Sequence, residues 1–447
     1  MTTMRKGTAV RRAVFAVAAA AVAAGSLAAC SSGGTAAGGG ADDIESALEQ
    51  GGEITYWSWT PSAEAQVAAF EKAYPNVKVN LVNAGTNTDE YTKLQNAIKA
   101  GSGAPDVVQI EYYAFPQFAL SDALVDLAPY GFGDLEDDYS PGTWGSVDFD
   151  GKIYGLPQDS GPMALFYNKE VFDQYGLTVP TTWDEYIAEA KKLTAADPSK
   201  HITSDTGDPG FATSMIWQAG GTPFTTDGTN VTIDLQDEGS KKWADTWNQL
   251  VDGGLLADTP SWSDEWFKAL GDGSIATLIT GAWMPGVLES SVADGAGKWR
   301  VAPIPTYDGT PVTAENGGGG QAVTKQSKNP ALAAGFLKWL NNDEESLKIF
   351  AESGGFPSTT TQLSDPAFVD AASDYFGGQQ INQVLTEAST QVRDGWSYLP
   401  FQVYANSIFG DTVGQQYASK GDLNEGLSTW QDQLVEYGNS QGFTVDK

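Results

Sequence analysis

Most of the fourteen tryptophans can be set aside before any chemistry is considered. Trp243, Trp247 and Leu250 recur at i, i+4 and i+7, the stripe of a helix facing a core. Trp339 sits in a Phe-Leu-Lys-Trp-Leu run, and Trp430 stripes with Leu427 and Leu434. Trp183 opens a helix beside its cap, and Trp299 lies in a short strand. Trp262 and Trp266 share one helix face, with Trp262 at its start able to reach outward. Trp57, Trp59, Trp217, Trp283 and Trp396 are different, because they stand beside Gly, Pro or Ser in expected turns or strand ends. A ring on a loop offers a flat apolar face and a polar N–H. The C–H face of a pyranose suits such a surface, and sugar hydroxyls need carboxylate and amide partners. Those partners stand close by. Glu64 follows Trp57 and Trp59, Glu111 precedes Tyr112-Tyr113, and Asp159 precedes Ser160-Gly161-Pro162.

Composition removes most other chemistry. Lys and Arg number 25 against 57 Asp and Glu, for a formal net charge of −32. That balance argues against DNA or RNA, whose phosphates need a basic footprint. It also argues against steering of an anionic substrate. The single His and single Cys leave only His201 for a Ser-His-Asp triad and cannot build a Cys/His zinc site. Asp227–Asp234 lacks EF-hand spacing, which argues against calcium. Tyr112-Tyr113 is a poor iron site with so little His. No metal or cofactor is expected. An acidic binder, or an enzyme working through carboxylates, survives.

The chain opens with Arg5, Lys6, Arg11 and Arg12, then an apolar run from Ala13 to Ala29. That length and alanine content fit a secretory signal better than a membrane span. The run ends in Leu27-Ala28-Ala29-Cys30, which resembles a bacterial lipobox: cleavage before Cys30 and lipid on its thiol. Residues 1–29 are therefore expected to be removed, leaving a formal charge of −36. Cys30 would anchor the chain to the outer face of the membrane, and residues 31–52 would form a flexible tether. With no second Cys, no intramolecular disulfide is possible.

The remainder alternates strand and helix. Glu53–Trp59 reads as a strand, followed by a helix striped by Ala63, Val67, Phe70 and Tyr74. Val77–Val82 is a second strand. Tyr91, Leu94 and Ile98 stripe a second helix, and Asp106–Ile110 is a third strand. Short links between them imply right-handed parallel crossovers. Ligands then sit beyond the carboxyl ends of the strands, which nominates the loops at Trp57–Pro61 and Glu111–Phe115. Further on, Thr182-Trp183-Asp184-Glu185 has capping-box spacing. Residues 240–252 and 262–271 are amphipathic helices, and Ile275–Thr280 and Trp299–Ile304 are strands. Ser160-Gly161-Pro162 and Gly317–Gly320 look like crossings between two lobes.

Several segments resemble the extracellular solute-binding proteins of family 1, the maltose-binding-protein-like receptors of carbohydrate ABC importers. They are EITYWSW, APDVVQIEYYAFPQF, DGKIYGLPQDSGPMALFYNKEVFDQYGL, PTTWDEY, ATLITGAWMPG, KWRVAPIP and GGGGQAV. The resemblance implies a two-lobed α/β fold of the type II periplasmic-binding class, hinged around an interlobe cleft. It implies a first lobe of residues 53–158 with 321–360, and a second of 161–316 with 363–447. It also places Trp283 on the second lobe against a sugar ring, the loops of Trp57 and Glu111 on the first, and Asp159 near the crossing. Trp396 and Tyr398 would approach from the last helical segment. The resulting candidate site is Trp57, Trp59, Glu111, Tyr112, Asp159, Trp217, Trp283, Trp396 and Tyr398. The Trp-Ser-Trp-Thr-Pro after the first strand departs from the acidic residues of maltose binders, which points away from maltose itself.

Three functions remain open. One is a lipid-anchored, monomeric receptor that captures a neutral oligosaccharide for ABC permease subunits and performs no chemistry. Another is a polyamine receptor of similar architecture, whose affinity would fall steeply with salt. The third is a secreted glycosidase using two carboxylates, which aryl glycosides would reveal.

Overall fold

A computed structural model describes residues 41–149 and 151–447. The expected signal at 1–29, Cys30 and residues 31–40 of the expected tether lie outside that range. The rest of that tether is not a tether. Helix α1, Ala41–Gln50, packs against a later helix of the first lobe, with Ile44 buried in the core and Ala47 and Leu48 packed on it. Ile44, Ala47 and Leu48 fall at i, i+3 and i+4, one face of a helix. The surrounding Gly, Ser and acidic residues masked this short apolar stripe.

Strand β1 is Gly52–Trp57 and buries Ile54 and Tyr56 on one face, the period of two expected of a half-covered strand. Helix α2, Ala63–Ala73, buries Val67 and Phe70. Strand β2, Val77–Val82, helix α3, Asn87–Ala100, and strand β3, Val107–Glu111, complete the parallel pattern. β1 pairs in parallel with both β2 and β3. The ends of β1 and β3 therefore emerge on the same side, carrying Trp59 and Glu111 together.

The chain then runs through the short strand β4, Leu156–Pro157, and crosses into β5, Met163–Asn168. In the second lobe, helix α4, Trp183–Ala196, starts with both halves of the capping box formed between Thr182 and Glu185. Such a cap contributes about 1 kcal/mol. Helix α5 is Pro209–Gln218, α6 is Glu238–Asp252 and α7 is Asp264–Gly271. Trp183, Trp243, Trp247 and Trp430 are fully or almost fully buried in one core here. Strand β6, Thr277–Gly281, leads into helix α8, Met284–Ser291, and then strand β7, Trp299–Pro303. β5 lies between β6 and β7, antiparallel to both.

Strand β8, Gly319–Val323, returns the chain to the first sheet, between β3 and β4 and antiparallel to both. The first sheet thus runs β2-β1-β3-β8-β4. Helices α9, Pro330–Asn342, and α10, Glu344–Glu352, cover it, with Phe336 edge-on to Tyr56 and Phe70. A further crossing follows. Phe356 packs in the second-lobe core while Thr359 bridges Tyr139 in the first. Helix α11, Gln402–Phe409, closes the molecule from the second lobe. It buries Ala405 and Phe409 there, yet sends Val403 into the first-lobe cluster of Tyr91, Phe115 and Phe118.

Candidate functional site

Between the two sheets lies a cleft of about 980 Å³. Its first wall is the carboxyl edge of the parallel sheet. Gln109, from β3, uses its amide oxygen to gather the loop after β1. That oxygen accepts from Ser58 Oγ at 2.7 Å, the Trp59 N–H at 3.1 Å and Thr60 Oγ1 at 2.9 Å. Glu111, two residues on, has its orientation fixed by Tyr91. The Tyr91 hydroxyl accepts from the Glu111 N–H at 2.9 Å and donates to its carboxylate at 3.0 Å. Asn87, with its amide nitrogen turned inward, donates to the same carboxylate at 3.0 Å. Burial pushes the Glu111 carboxyl up to about 7. The Tyr91 and Tyr113 hydroxyls oppose that rise, and the charges of Asp159 and of Asp208 across the cleft add to it. Behind this wall, Glu90 is fully buried without a hydrogen-bond partner and is pushed up to about 8, first by burial and then by Glu111.

The second wall is aromatic. Trp262 stacks on Trp283 with ring centres 5.8 Å apart and planes 23° from parallel, and it also leans on Trp266 at 5.4 Å. Trp266 is buried and donates to Ser204 Oγ at 2.8 Å. Trp262 is 51% exposed and holds a φ of +70°. A bulky residue in the left-handed region carries strain of about 1–3 kcal/mol. Trp262 is not on a helix face, as its spacing from Trp266 suggested. Ser263 caps α7, its hydroxyl accepting from the Trp266 N–H at 3.2 Å, so Trp262 falls outside the helix. The Ser263-Asp264-Glu265 text, a cap followed by acids in the first turn, carried that signal.

The floor is made by the crossings. The Asp159 carboxylate accepts from the Gly319 N–H at 2.6 Å, while the Tyr112 hydroxyl donates to the Asp159 carbonyl at 2.7 Å. Burial raises Asp159 to about 6, against the pull of the Gly319 N–H. Glu315 accepts from Ser160 Oγ at 3.0 Å and from the Gly161 N–H, and burial raises it to about 7.

Of the nine candidates from sequence, Trp59, Glu111, Asp159, Trp283 and Tyr398 line this cleft. The other four stand elsewhere. Trp57 is the last residue of β1, paired with Val82 and Val108 inside the sheet. Tyr112 is buried and braces the crossing behind Asp159. Trp217 is a correction: it lies in helix α5, not in a turn, and is buried. Its N–H donates to the Arg393 carbonyl at 2.6 Å and its ring stacks on Trp396 at 5.4 Å. Asp208-Pro209, a cap followed by proline at the first helical position, marked that helix start. Trp396 packs behind the cleft between Trp217 and Tyr398. The lining also includes residues the sequence did not single out, among them Asn87, Gln109, Asp208, Asn316 and Gln402. These polar residues have no periodic signature. Only the fold brings them together.

Among the described residues the lining has no Lys, Arg or His, and His201 pairs with Ile275 away from it. Among those residues no cluster of metal ligands is present, and no helix is long and apolar enough to cross a membrane. The site can hold an uncharged, hydroxylated ligand by ring faces on one side and by amides and carboxylates on the other. Its carboxyl groups are Glu111, Asp159, Asp205 and Asp208.

Residues 56–346 match the family model described as bacterial extracellular solute-binding protein. Among curated proteins, the chain is 26% identical over 394 residues to the arabinooligosaccharide-binding protein of Halalkalibacterium halodurans, covering 84% of this chain and 87% of that one. One solved structure is the ABC-transporter-associated binding protein of B. animalis subsp. lactis Bl-04 in complex with β-1,6-galactobiose. It is 47% identical with a TM-score of 0.83, covering 88% of this chain and 99% of that one. Another is the galacto-N-biose/lacto-N-biose I-binding protein of Bifidobacterium longum in complex with lacto-N-biose. That likeness is 29% identical with a TM-score of 0.79, covering 89% and 99%.

Proposed function

Because the chain belongs to the bacterial extracellular solute-binding proteins, we propose that its cleft captures a neutral oligosaccharide and hands it to the permease of an ABC importer. The observation that carries this reading is the half-exposed Trp262–Trp283 stack facing Glu111, Gln109 and Asn87 across a lining without a cation. Ring faces take the C–H side of a sugar, and the opposite wall accepts its hydroxyls. Family and structural relatives are binding proteins, and the role proposed is capture without chemistry. The ligands named for those relatives, β-1,6-galactobiose, lacto-N-biose and arabino-oligosaccharides, make galactosyl and pentosyl oligomers the first to try.

In this reading the lobes of 53–158 with 321–360 and of 161–316 with 363–447 close over the sugar. Cys30 carries the lipid that keeps a monomer at the outer face of the membrane, and Cys30→Ala would release the protein to the soluble fraction. The functional test is calorimetric titration and thermal shift with β-1,6-galactobiose, lacto-N-biose and arabinobiose. A ligand at 100 times its Kd adds about 2.7 kcal/mol of stability. Repeating the titration across ionic strength separates a sugar from a polyamine. Sugar affinity should hold, and cation affinity should fall steeply. Binding of spermidine and of no neutral sugar would overturn the proposal.

A further inference from the structure

The indole N–H of Trp283 does not point into the cleft. It donates to the Asn316 carbonyl at 2.7 Å. Asn316 belongs to the segment that crosses between the lobes. Its own N–H donates to the Gly161 carbonyl at 2.8 Å, and Glu315 bridges Pro162, so the two crossing segments are paired at this point. The ring is packed against that pair with no room to spare. A Cβ on Gly281 would stand 2.5 Å from Trp283 Nε1 and would also strike the Asn316 carbonyl. A Cβ on Gly317 would stand 2.8 Å from the same nitrogen, at a φ of +78° that side chains rarely adopt. Trp262 then stacks on Trp283, the outermost of three layers: exposed indole, held indole, crossing segment.

We propose that Asn316, Gly281 and Gly317 are positioning residues of the cleft: they tie Trp283, and Trp262 with it, to the lobe crossing, so that settling of a sugar on the indoles and closing of the lobes are one coupled event. The inference rests on the functional reading above. Tilting Trp283 to meet a sugar face moves its N–H, and the carbonyl that follows belongs to a segment whose rotation sets the angle between the lobes. A crossing bend is where a hinge absorbs dihedral change. The same tie works in reverse, since a closed crossing presents the ring in its binding tilt. The two states thus differ in how well they present the stack, which is what a ligand needs in order to shift their populations.

The experiment compares full-length wild type with Trp283→Phe, which keeps an aromatic face and deletes the N–H, and with Trp262→Phe, whose N–H has no part in that bond. Affinity for β-1,6-galactobiose is measured by calorimetry, contraction at saturation by small-angle scattering, and folding by thermal melts. Trp283→Phe should bind at least tenfold more weakly and lose most of the contraction even at saturation. Trp262→Phe should bind more weakly yet contract fully. Gly317→Ala should behave as Trp283→Phe does, and if it does not fold, Trp283→Phe alone decides. Full contraction of saturated Trp283→Phe overturns the coupling, whatever its affinity. A wild type that binds neither this probe nor another neutral sugar removes the functional reading, and the coupling falls with it.

Discussion

The second lobe carries two stacked pairs of indoles with opposite fates. Trp217 and Trp396 lie 5.4 Å apart and 12° from parallel; Trp262 and Trp283 lie 5.8 Å apart and 23° from parallel. Each pair has one N–H held by a main-chain carbonyl, Arg393 for Trp217 and Asn316 for Trp283. Local chemistry is thus nearly the same. The difference lies in the backbone beneath. Trp217 sits in the last turn of α5, clustered with Met215, Ile216 and Ala219 in the lobe's main core. Trp262 stands in the left-handed region before a helix cap, more than half exposed. Strain and exposure at a large apolar residue, with no packing reason for either, mark a surface kept for something outside the chain.

The largest expected effect tests the buried pair. Trp217→Ala removes a core indole and should cost about 3–5 kcal/mol of stability, seen as an early thermal melt, while the folded fraction binds sugar normally. Normal melting with poor binding would exchange the roles of the two pairs. Next, Trp283→Ala should weaken binding by about 2 kcal/mol or more, over 25-fold, with a smaller drop in melting temperature than Trp217→Ala shows. Trp262→Gly sharpens the contrast further. It should lose affinity similarly, yet melt no lower than wild type, because glycine relieves the positive φ at the site of a side chain that shields little. An early melt would mean Trp262 is structural after all.

The smallest effect concerns the wall facing the cleft pair. Glu111 is raised to about 7 by burial, so it is mostly charged at pH 8 and mostly protonated at pH 6. Only the carboxylate accepts hydroxyls on both oxygens. Affinity should therefore fall about tenfold as pH drops from 8 to 6, close to 1.4 kcal/mol. Calorimetry at both values checks it, and Glu111→Gln should make the profile shallower, leaving the part due to Asp159 and Glu315 at the floor. The interior pair has no such neighbour, so Trp217→Ala should leave the pH dependence unchanged.

Elements with a sustained period were legible in the sequence. Val67 and Phe70, the capping box of Thr182 and Glu185, and the Trp243–Trp247–Leu250 stripe all sit where their spacing put them. The parallel pairing of β1 with β2 and β3 was legible in the strand–helix alternation with short links; their order in the sheet was not. Aromatics were harder to read, because a ring beside glycine or serine can end a helix or line a cleft. Trp217 did the first, and Asp208-Pro209, the start of its helix, lies nine residues upstream of the ring. The three apolar residues of α1 were too few to stand out against glycine. Gln109, Asn87 and Asn316 carried no local mark at all. Each became part of the site only through sheet order and lobe crossing, which put positions more than two hundred residues apart around one cavity.

The exposed indole makes the protein its own optical gauge. Trp262 is the only exposed tryptophan among the described residues, which include all fourteen. A sugar laid on it removes the most exposed indole from water, while Trp57 and Trp396, partly buried and outside the lining, stay as they are. Emission should then shift to shorter wavelength, and the fraction open to a soluble quencher such as acrylamide should fall. Occupancy of the cleft could be followed in real time, at low concentration, with no label attached.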